Sequence, residues 1–397
     1  MKFLLLLLCC CVLFSCENNV TQEEDNILYV PLEFNSIQSA IDYANDGFTI
    51  IVDNGRYFEN IDFCGKKIQL VSLHHLSDDD SDIENTIIDG NNSGRCVRFA
   101  RGEDSMTLFS GFTITNGFSS AGGGIICQNY SSPTLSNLKI VNNDAALSGG
   151  GILCFNNSNP IINNTSIEHN TVESGTGGGI GIYSSSPIMD NVYIGFNMAV
   201  NGGGIYISES EIDMQHTEIY KNLAESGAGF FCNLSMVDCT NSIIYNNTAD
   251  YGGAGYLVYS SELNLENTTI ASNRGKSASA GFYCRLDSKI NISNSILWDN
   301  LPSGIYFSSI DAPNQITIDY SNVQNGEDGI YLNGNGELFW NVGNIDSNPN
   351  FMDSEANNYR LITNSPCIDA GNPDVVYNDN DGSLNDMGAY GGSGSDW

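Results

Sequence analysis

Few side chains in this sequence are equipped for acid–base, nucleophilic or metal chemistry. The densest basic group is Arg274, Lys276, Arg285 and Lys289, with Asp287 among them. Displayed along one face, these cations would grip a polyanionic chain such as a uronate; scattered, they merely offset a very acidic protein, which is the reading their spacing favours. The segment Asp379-Asn-Asp381-Gly382, with Asp374 and Asp386 nearby, offers the hard oxygen ligands that Ca2+ takes. An EF-hand would need acids at positions 377 and 388, which are Tyr377 and Gly388, so only a looser Ca2+ site is expected, and no other cofactor. His74-His75 beside Asp78 falls short of a metal ligand set. The run Asp78-Asp79-Asp80-Ser81-Asp82 reads as a solvated loop, and the remaining histidines, His169 and His216, stand alone.

Charge narrows the partners. The chain carries 14 Lys and Arg against 47 Asp and Glu, a formal charge of -33, although only 15% of its residues are charged. Such a surface repels nucleic acid and anionic headgroups and holds cations. Nucleic acid is therefore excluded as a partner.

The first residues read as an address. Lys2 precedes an apolar run from Phe3 to Phe14, too short to span a bilayer and suited to the core of a signal peptide. Leu13-Phe14-Ser15-Cys16 resembles the bacterial lipobox. That resemblance implies cleavage before Cys16, lipid on Cys16, and a membrane-anchored lipoprotein at the outer membrane or cell surface. Residues 1–15 would be the lipoprotein signal peptide and residues 16–30 an acidic tether. Of the 12 cysteines, those at 9, 10, 11 and 16 belong to this region, and none of the others forms a CxxC pair.

Self-similarity organises the rest. The segments Gly-Gly-Gly-Ile125-Ile-Cys127, Gly-Gly-Gly-Ile152-Leu-Cys154, Gly-Gly-Gly-Ile180-Gly-Ile182 and Gly-Gly-Gly-Ile205-Tyr-Ile207 are followed by Gly-Ala-Gly-Phe230-Phe-Cys232, Gly-Ala-Gly-Tyr256 and Ser-Ala-Gly-Phe282-Tyr-Cys284. Six steps separate Cys127 from Cys284, giving a period of about 26 residues. A second motif, Asn-x-x-Ile-x-x-Asn, supplies two polar columns. One holds Asn137, Asn164, Asn191, His216, Asn241, Asn267 and Asn294; the other holds Asn143, Asn170, Asn197, Asn222, Asn247, Asn273 and Asn300. If coils stack at about 4.8 Å, amides at one phase can bond to the coils above and below, with His216 standing in for an amide. Short alternating strands such as Glu211-Ile-Asp-Met-Gln215 lie between. The cysteines at 127, 154, 232 and 284 share one position, which points to packing. Cys127 and Cys154 fall on successive coils, near enough for a disulfide to be conceivable.

This combination resembles the repeats of pectin-lyase-like right-handed parallel β-helix proteins, and the resemblance covers nearly all of the chain past the tether. It implies an all-β, single-stranded right-handed parallel β-helix of about eleven coils over residues 31–345, begun by a short capping helix from Ser36 to Gly47. Asn358-Tyr-Arg-Leu361, Ser365-Pro-Cys-Ile-Asp-Ala-Gly371 and Asp386-Met-Gly-Ala-Tyr390 resemble the C-terminal segment of β-helix proteins with a choice-of-anchor Q domain, here residues 346–397, expected to cover the back end. Lyases of the resembled group need clustered acids for Ca2+ and an Arg or Lys base. Its polygalacturonases use Asn-Thr-Asp, Asp-Asp, His-Gly and Arg-Ile-Lys motifs, which the coils lack. The architecture hosts enzymes, adhesins and stalks alike. The expectation is a non-catalytic binding or adhesion module, for extracellular polysaccharide or a surface protein. A polysaccharide lyase or hydrolase using Arg274, Lys276, Arg285 and Asp287 is the rival, and a stalk without ligand the third reading.

Overall fold

The computed structural model describes residues 26–277, 279, 281–310, 312–395 and 397. The expected signal peptide, Cys16 as the expected site of lipidation and the expected tether up to residue 25 lie outside them. The described chain winds into a parallel β-solenoid of about twelve turns, a right-handed β-helix. Each coil contributes one strand to each of three faces. The first and second faces form a 22-stranded sheet bent along a corner, and the third is a separate 11-stranded sheet. Strands Ile161–Glu168 and Ile188–Gly195 run unbroken from the first face into the second. We call this bend the first corner; the second follows the second face, and the third follows the third face.

The alternating pattern fixes which side chains enter the core. On the third face Cys127, Cys154, Ile182, Ile207, Cys232, Leu257, Cys284 and Phe307 are in direct register, all fully buried. All eight described cysteines are free thiols, Cys127 and Cys154 included. Large and small residues alternate where needed: the Phe230 and Phe282 rings close over Gly255, where a Cβ would lie 2.7 Å from Phe230. The glycine runs have a backbone cause as well. Gly122, Gly149, Gly177, Gly202, Gly227 and Gly252 share φ of 62–67°, where an L side chain is strained.

The two asparagine columns behave differently. The second is a buried ladder at the second corner. Asn170 Nδ2 donates to Asn197 Oδ1 at 3.1 Å and to Ile140 O at 2.9 Å, while Asn170 N donates to Asn197 Oδ1 at 2.9 Å. The same three bonds recur through Asn197, Asn222 and Asn247, and side-chain bonds continue to Asn300. The first column, read from sequence as a similar ladder, has another cause. Its members from Asn137 to Asn294 sit at φ of 43–53°, so asparagine is chosen for the left-handed bend. Within the column Asn191 Nδ2 donates to Asn164 Oδ1 at 2.8 Å, whereas Asn241 and Asn267 donate to Gly391 O and Asp386 O of the C-terminal segment and Asn294 Oδ1 accepts from Asn372 N. His216 does not bridge its neighbours in the column; it faces Asp190 at 2.7 Å and Gly394 O at 3.2 Å.

Ends and loops complete the frame. Helix Ile37–Tyr43 packs on the first coil and buries Ile37, Ala40 and Ile41; it stops short of Gly47 because the chain turns extended at Ala44. Glu59 accepts from Ile37 N and Gln38 N at 2.9 Å each, which caps its start. The Asp78–Asp82 stretch, expected as a loop, joins short helices His74–Ser77 and Asp80–Asn85, with Asp79 accepting from Ser81 N. The C-terminal segment takes a route that sequence did not suggest. After the hairpin Phe351–Asp353 and Asn358–Leu361, the chain lies along the first corner and runs backwards over four coils. Asn294 O receives Gly388 N at 2.7 Å, Asn241 Nδ2 donates to Gly391 O at 2.6 Å, and Trp397 packs near His216. No helix among the described residues is long and apolar enough to cross a membrane.

Candidate binding face

The outward side of the third face carries an aromatic column. Tyr206, Phe231, Tyr256, Tyr283, Tyr306 and Tyr331 are stacked ring on ring, with centroids 4.8–6.3 Å apart and planes within 28°. Parallel register one coil apart dictates this, because equivalent outward residues meet at the inter-strand distance. The consequence is chemical. Ring faces are spent on one another, so the column offers edges and hydroxyls to a ligand rather than flat platforms, except at exposed Tyr331. Burial pushes the Tyr206 and Tyr283 phenols up, which keeps them protonated donors.

Beside this column, at the third corner, runs a polar trough of about 560 Å³. Its floor is a hydroxyl ladder: Ser158 N donates to Ser185 Oγ, Ser185 N to Ser210 Oγ and Ser210 N to Ser235 Oγ, at 3.1–3.2 Å. Its walls include Asn157, Asn159, Glu209, Glu211 and Glu262, and no Lys, Arg or His lines it. Apolar groups stand on its rim at strained positions. Leu234 and Tyr259 adopt φ of 50° and 55° with about half of each side chain exposed, and Glu209 adopts 52°. The left-handed positions of this corner are filled by Asn156, Asn157 and Ser184 in the earlier coils and by Glu209, Leu234 and Tyr259 in the later ones.

The residues singled out for chemistry are divided by the fold. Arg274 and Lys276 lie at the second corner, where Arg274 pairs with Asp299 at 3.1 Å and Lys276 with Asp250 at 3.0 Å. Arg285 and Asp287 follow the third-face strand Phe282–Cys284 into the third corner, one coil beyond the residues that line the trough, Arg285 reaching the Tyr256 hydroxyl at 3.5 Å and Asp287 the Ser260 hydroxyl at 3.3 Å. The group is thus split between two corners and the first face, where Lys289 opens the strand Lys289–Ser293 in register with Glu262. The tail acids are turned largely to backbone amides: Asp386 accepts from Asp369 N at 2.7 Å, Asp379 from Asp386 N at 3.2 Å, Asp381 from Ser383 N at 2.9 Å and Asp374 from Val376 N at 3.3 Å. Burial first, then the charges of Asp379, Asp369 and Asp381, pushes the Asp386 carboxyl up to about 6. Among the described residues no group of three or more His, Cys, Asp or Glu side chains is arranged to hold a metal ion. His169 stacks on Phe196 at 4.7 Å, and His74 faces Asp79 O.

Sequence reading missed the trough. Its signal was present in the serines at 131, 158, 185, 210, 235, 261 and 288, which recur at the same period as the asparagines.

This coil, its ladders and its corners are those of a known class. The sequence matches the family described as the right-handed β-helix region over residues 50–222 and 178–347, and the chain belongs to that family. Among solved structures, pectate lyase Pel9A is similar at 14% identity and a TM-score of 0.47, covering 89% of this chain and 90% of that one. The PL6 family alginate lyase AlyGC is similar at 12% identity and a TM-score of 0.47, covering 86% of this chain and 57% of that one. No curated protein matches the sequence.

Proposed function

We propose that this chain is a non-catalytic binding module for extracellular polysaccharide, exported and held at the outer membrane or cell surface by a lipid on Cys16. The observation that carries this reading is the trough at the third corner. It runs along the axis over five coils, from Asn157 to Glu262, beside a parallel row of stacked aromatic residues. Hydroxyls, amides and carboxylates repeated coil by coil suit the hydroxyls of an extended sugar chain, while Leu234 and Tyr259 supply apolar contact on the rim. The carboxylates Glu209, Glu211 and Glu262, with no cation along the walls, favour an uncharged glycan over a uronate. A lyase would need a base and several acids converging on one groove. Arg274 and Lys276 are instead engaged at a different corner, which argues for binding without turnover.

The test is a screen of the chain from residue 17 onward against neutral and acidic polysaccharides with Ca2+ present. It follows unsaturated products, reducing ends and gel retardation. Retardation by a neutral polysaccharide without product is expected, weakened by Glu211→Lys and by Tyr259→Ala. Product formation would establish an enzyme, and silence in all three readouts would leave a stalk.

A further inference from the structure

An outward column of the second face is aromatic until an alanine breaks it. Tyr220 and Tyr245 stack at 5.3 Å, and in register with them on the next two coils stand Ala271 and Trp298. The alanine opens a gap that the C-terminal hairpin fills only in part. Tyr359 packs on Tyr245 at 5.2 Å, and Phe351 meets Tyr359 edge-on at 5.1 Å. Between hairpin and second corner there remains a cavity of about 350 Å³, whose walls include Trp298, Phe351, Ser272, Asp299, Asn348 and Asn350. Its polar groups are held in place without being used up. Asp299 Oδ2 takes the side-chain bonds from Arg274 Nη2 at 3.1 Å and Ser272 Oγ at 3.4 Å, so Oδ1 is open to a further donor. Among the described residues the Trp298 indole N–H and the Asn350 side-chain amide make no hydrogen bond, and no ring stacks on Trp298. Behind Phe351, the Tyr359 side chain is 1% exposed and its hydroxyl makes no hydrogen bond of normal length. Burial pushes this phenol up, and Ser272, Asp299 and Arg274 are the groups that act on it next, so the hydroxyl is turned toward the cavity wall. A buried hydroxyl in that condition is costly, and a polar ligand would relieve it.

We propose that this cavity is a second binding site, separate from the trough, for a single neutral pyranose, free or at the end of a chain. The Trp298 ring suits the apolar C–H face of a sugar, while Asp299 Oδ1, the Asn350 amide and the Trp298 N–H suit adjacent hydroxyls. Neither a cation nor an anion finds an unpaired charge here. Arg274 neutralises Asp299, and its guanidinium is itself held by Asn273 O and Asp299 O. The cavity is small among ligand pockets, so it takes a sugar unit, and the inner stretch of a polysaccharide is left to the trough at the third corner.

Calorimetry and tryptophan fluorescence test this on the chain from residue 17 onward, which keeps every described residue. The probes are the methyl glycosides of glucose, galactose and mannose, titrated through the millimolar range. At least one is expected to bind at one site per chain and to shift the tryptophan emission. Asp299→Asn keeps the side-chain shape and suits the left-handed backbone at φ 54°, and it should weaken that glycoside about tenfold or more. Trp298→Leu should abolish the fluorescence response. Glu211→Lys, in the trough, should leave glycoside binding unchanged, and D299N should leave the retardation by polysaccharide unchanged, so the two sites are told apart. Silence of all three glycosides overturns the proposal. So does a D299N variant, with the circular dichroism spectrum of the parent, that binds as tightly as the parent, or glycoside binding that E211K removes.

Discussion

Replacing Asn222 with alanine isolates one rung of the buried ladder. The side chain is 1% exposed. Its Oδ1 accepts from Asn197 N at 2.9 Å and from Asn197 Nδ2 at 3.1 Å, and its Nδ2 donates to Ile194 O at 2.9 Å and Asn247 Oδ1 at 3.0 Å. Truncation leaves two buried donors on the preceding coil without an acceptor. At about 1–3 kcal/mol for each orphaned group, the expected loss is about 2–6 kcal/mol. Asn191 provides the contrast. It makes a single exposed bond to Asn164 and sits at φ 53°, so Asn191→Ala should cost about 1–2 kcal/mol, mainly from the backbone. Glycine separates the two causes: Asn191→Gly should recover most of the loss, whereas Asn222→Gly should be at least as damaging as alanine. The assay is urea unfolding followed by circular dichroism, with hydrogen exchange at the Asn197 amide as the local probe. An Asn222→Ala variant within about 0.5 kcal/mol of the parent, or one with undiminished protection at Asn197, would refute the ladder as a source of stability.

Three further outcomes follow from other parts of the fold. An acid whose folded pKa is raised favours the protonated folded form, so docking of the C-terminal segment should be tightest in acid and weaken as pH rises toward about 6, where Asp386 ionises. Trp397 fluorescence between pH 4 and 7 should follow this change, and Asp386→Asn should flatten it. Burial pushes the Cys96 and Cys154 thiols up to about 12 and Cys239 to about 11, so thiol reagents at pH 8 should leave them untouched until the chain unfolds, with half-buried Cys64 reacting first. Arg274→Met breaks a partly exposed pair with Asp299 and should change stability by no more than about 1 kcal/mol, with glycan retardation unaffected.

The sequence exposes those parts of the fold that repeat. A period near 26 residues, alternating strands and recurrent Gly-Gly-Gly segments specify a coil, because each coil solves the same packing problem as the last. The position of Asn143 and its equivalents is legible for the same reason. Asn137 and its equivalents are just as visible, yet their cause is ambiguous in sequence: asparagine suits both an amide ladder and a left-handed bend, and only φ distinguishes them. The path of the C-terminal segment is illegible because it rests on single contacts between residues far apart in the chain, such as Gly388 with Asn294, which no local pattern announces. The trough is an intermediate case. Its serines recur in plain view, but their value lies in a corner shape set by coils stacked in register. The basic group shows the converse limit, since Arg274 and Arg285 are near in sequence and are carried to different corners by one intervening strand.

The buried ladder bears on how such a protein changes over generations. Asn197 is bonded to Asn222 in the same way as Asn222 is to Asn247, although nothing in sequence joins these pairs except a coil of 25 residues. Excision of one such coil would bring Asn197 onto Asn247 with strands, bends and hydroxyls all in phase, and duplication would do the reverse. The rod would shorten or lengthen by about 4.8 Å, provided that the coils seating the C-terminal segment, from His216 to Asn294, keep their contacts with it. Length is therefore the property that recombination can alter most freely here, and with it the number of trough positions presented along the shaft.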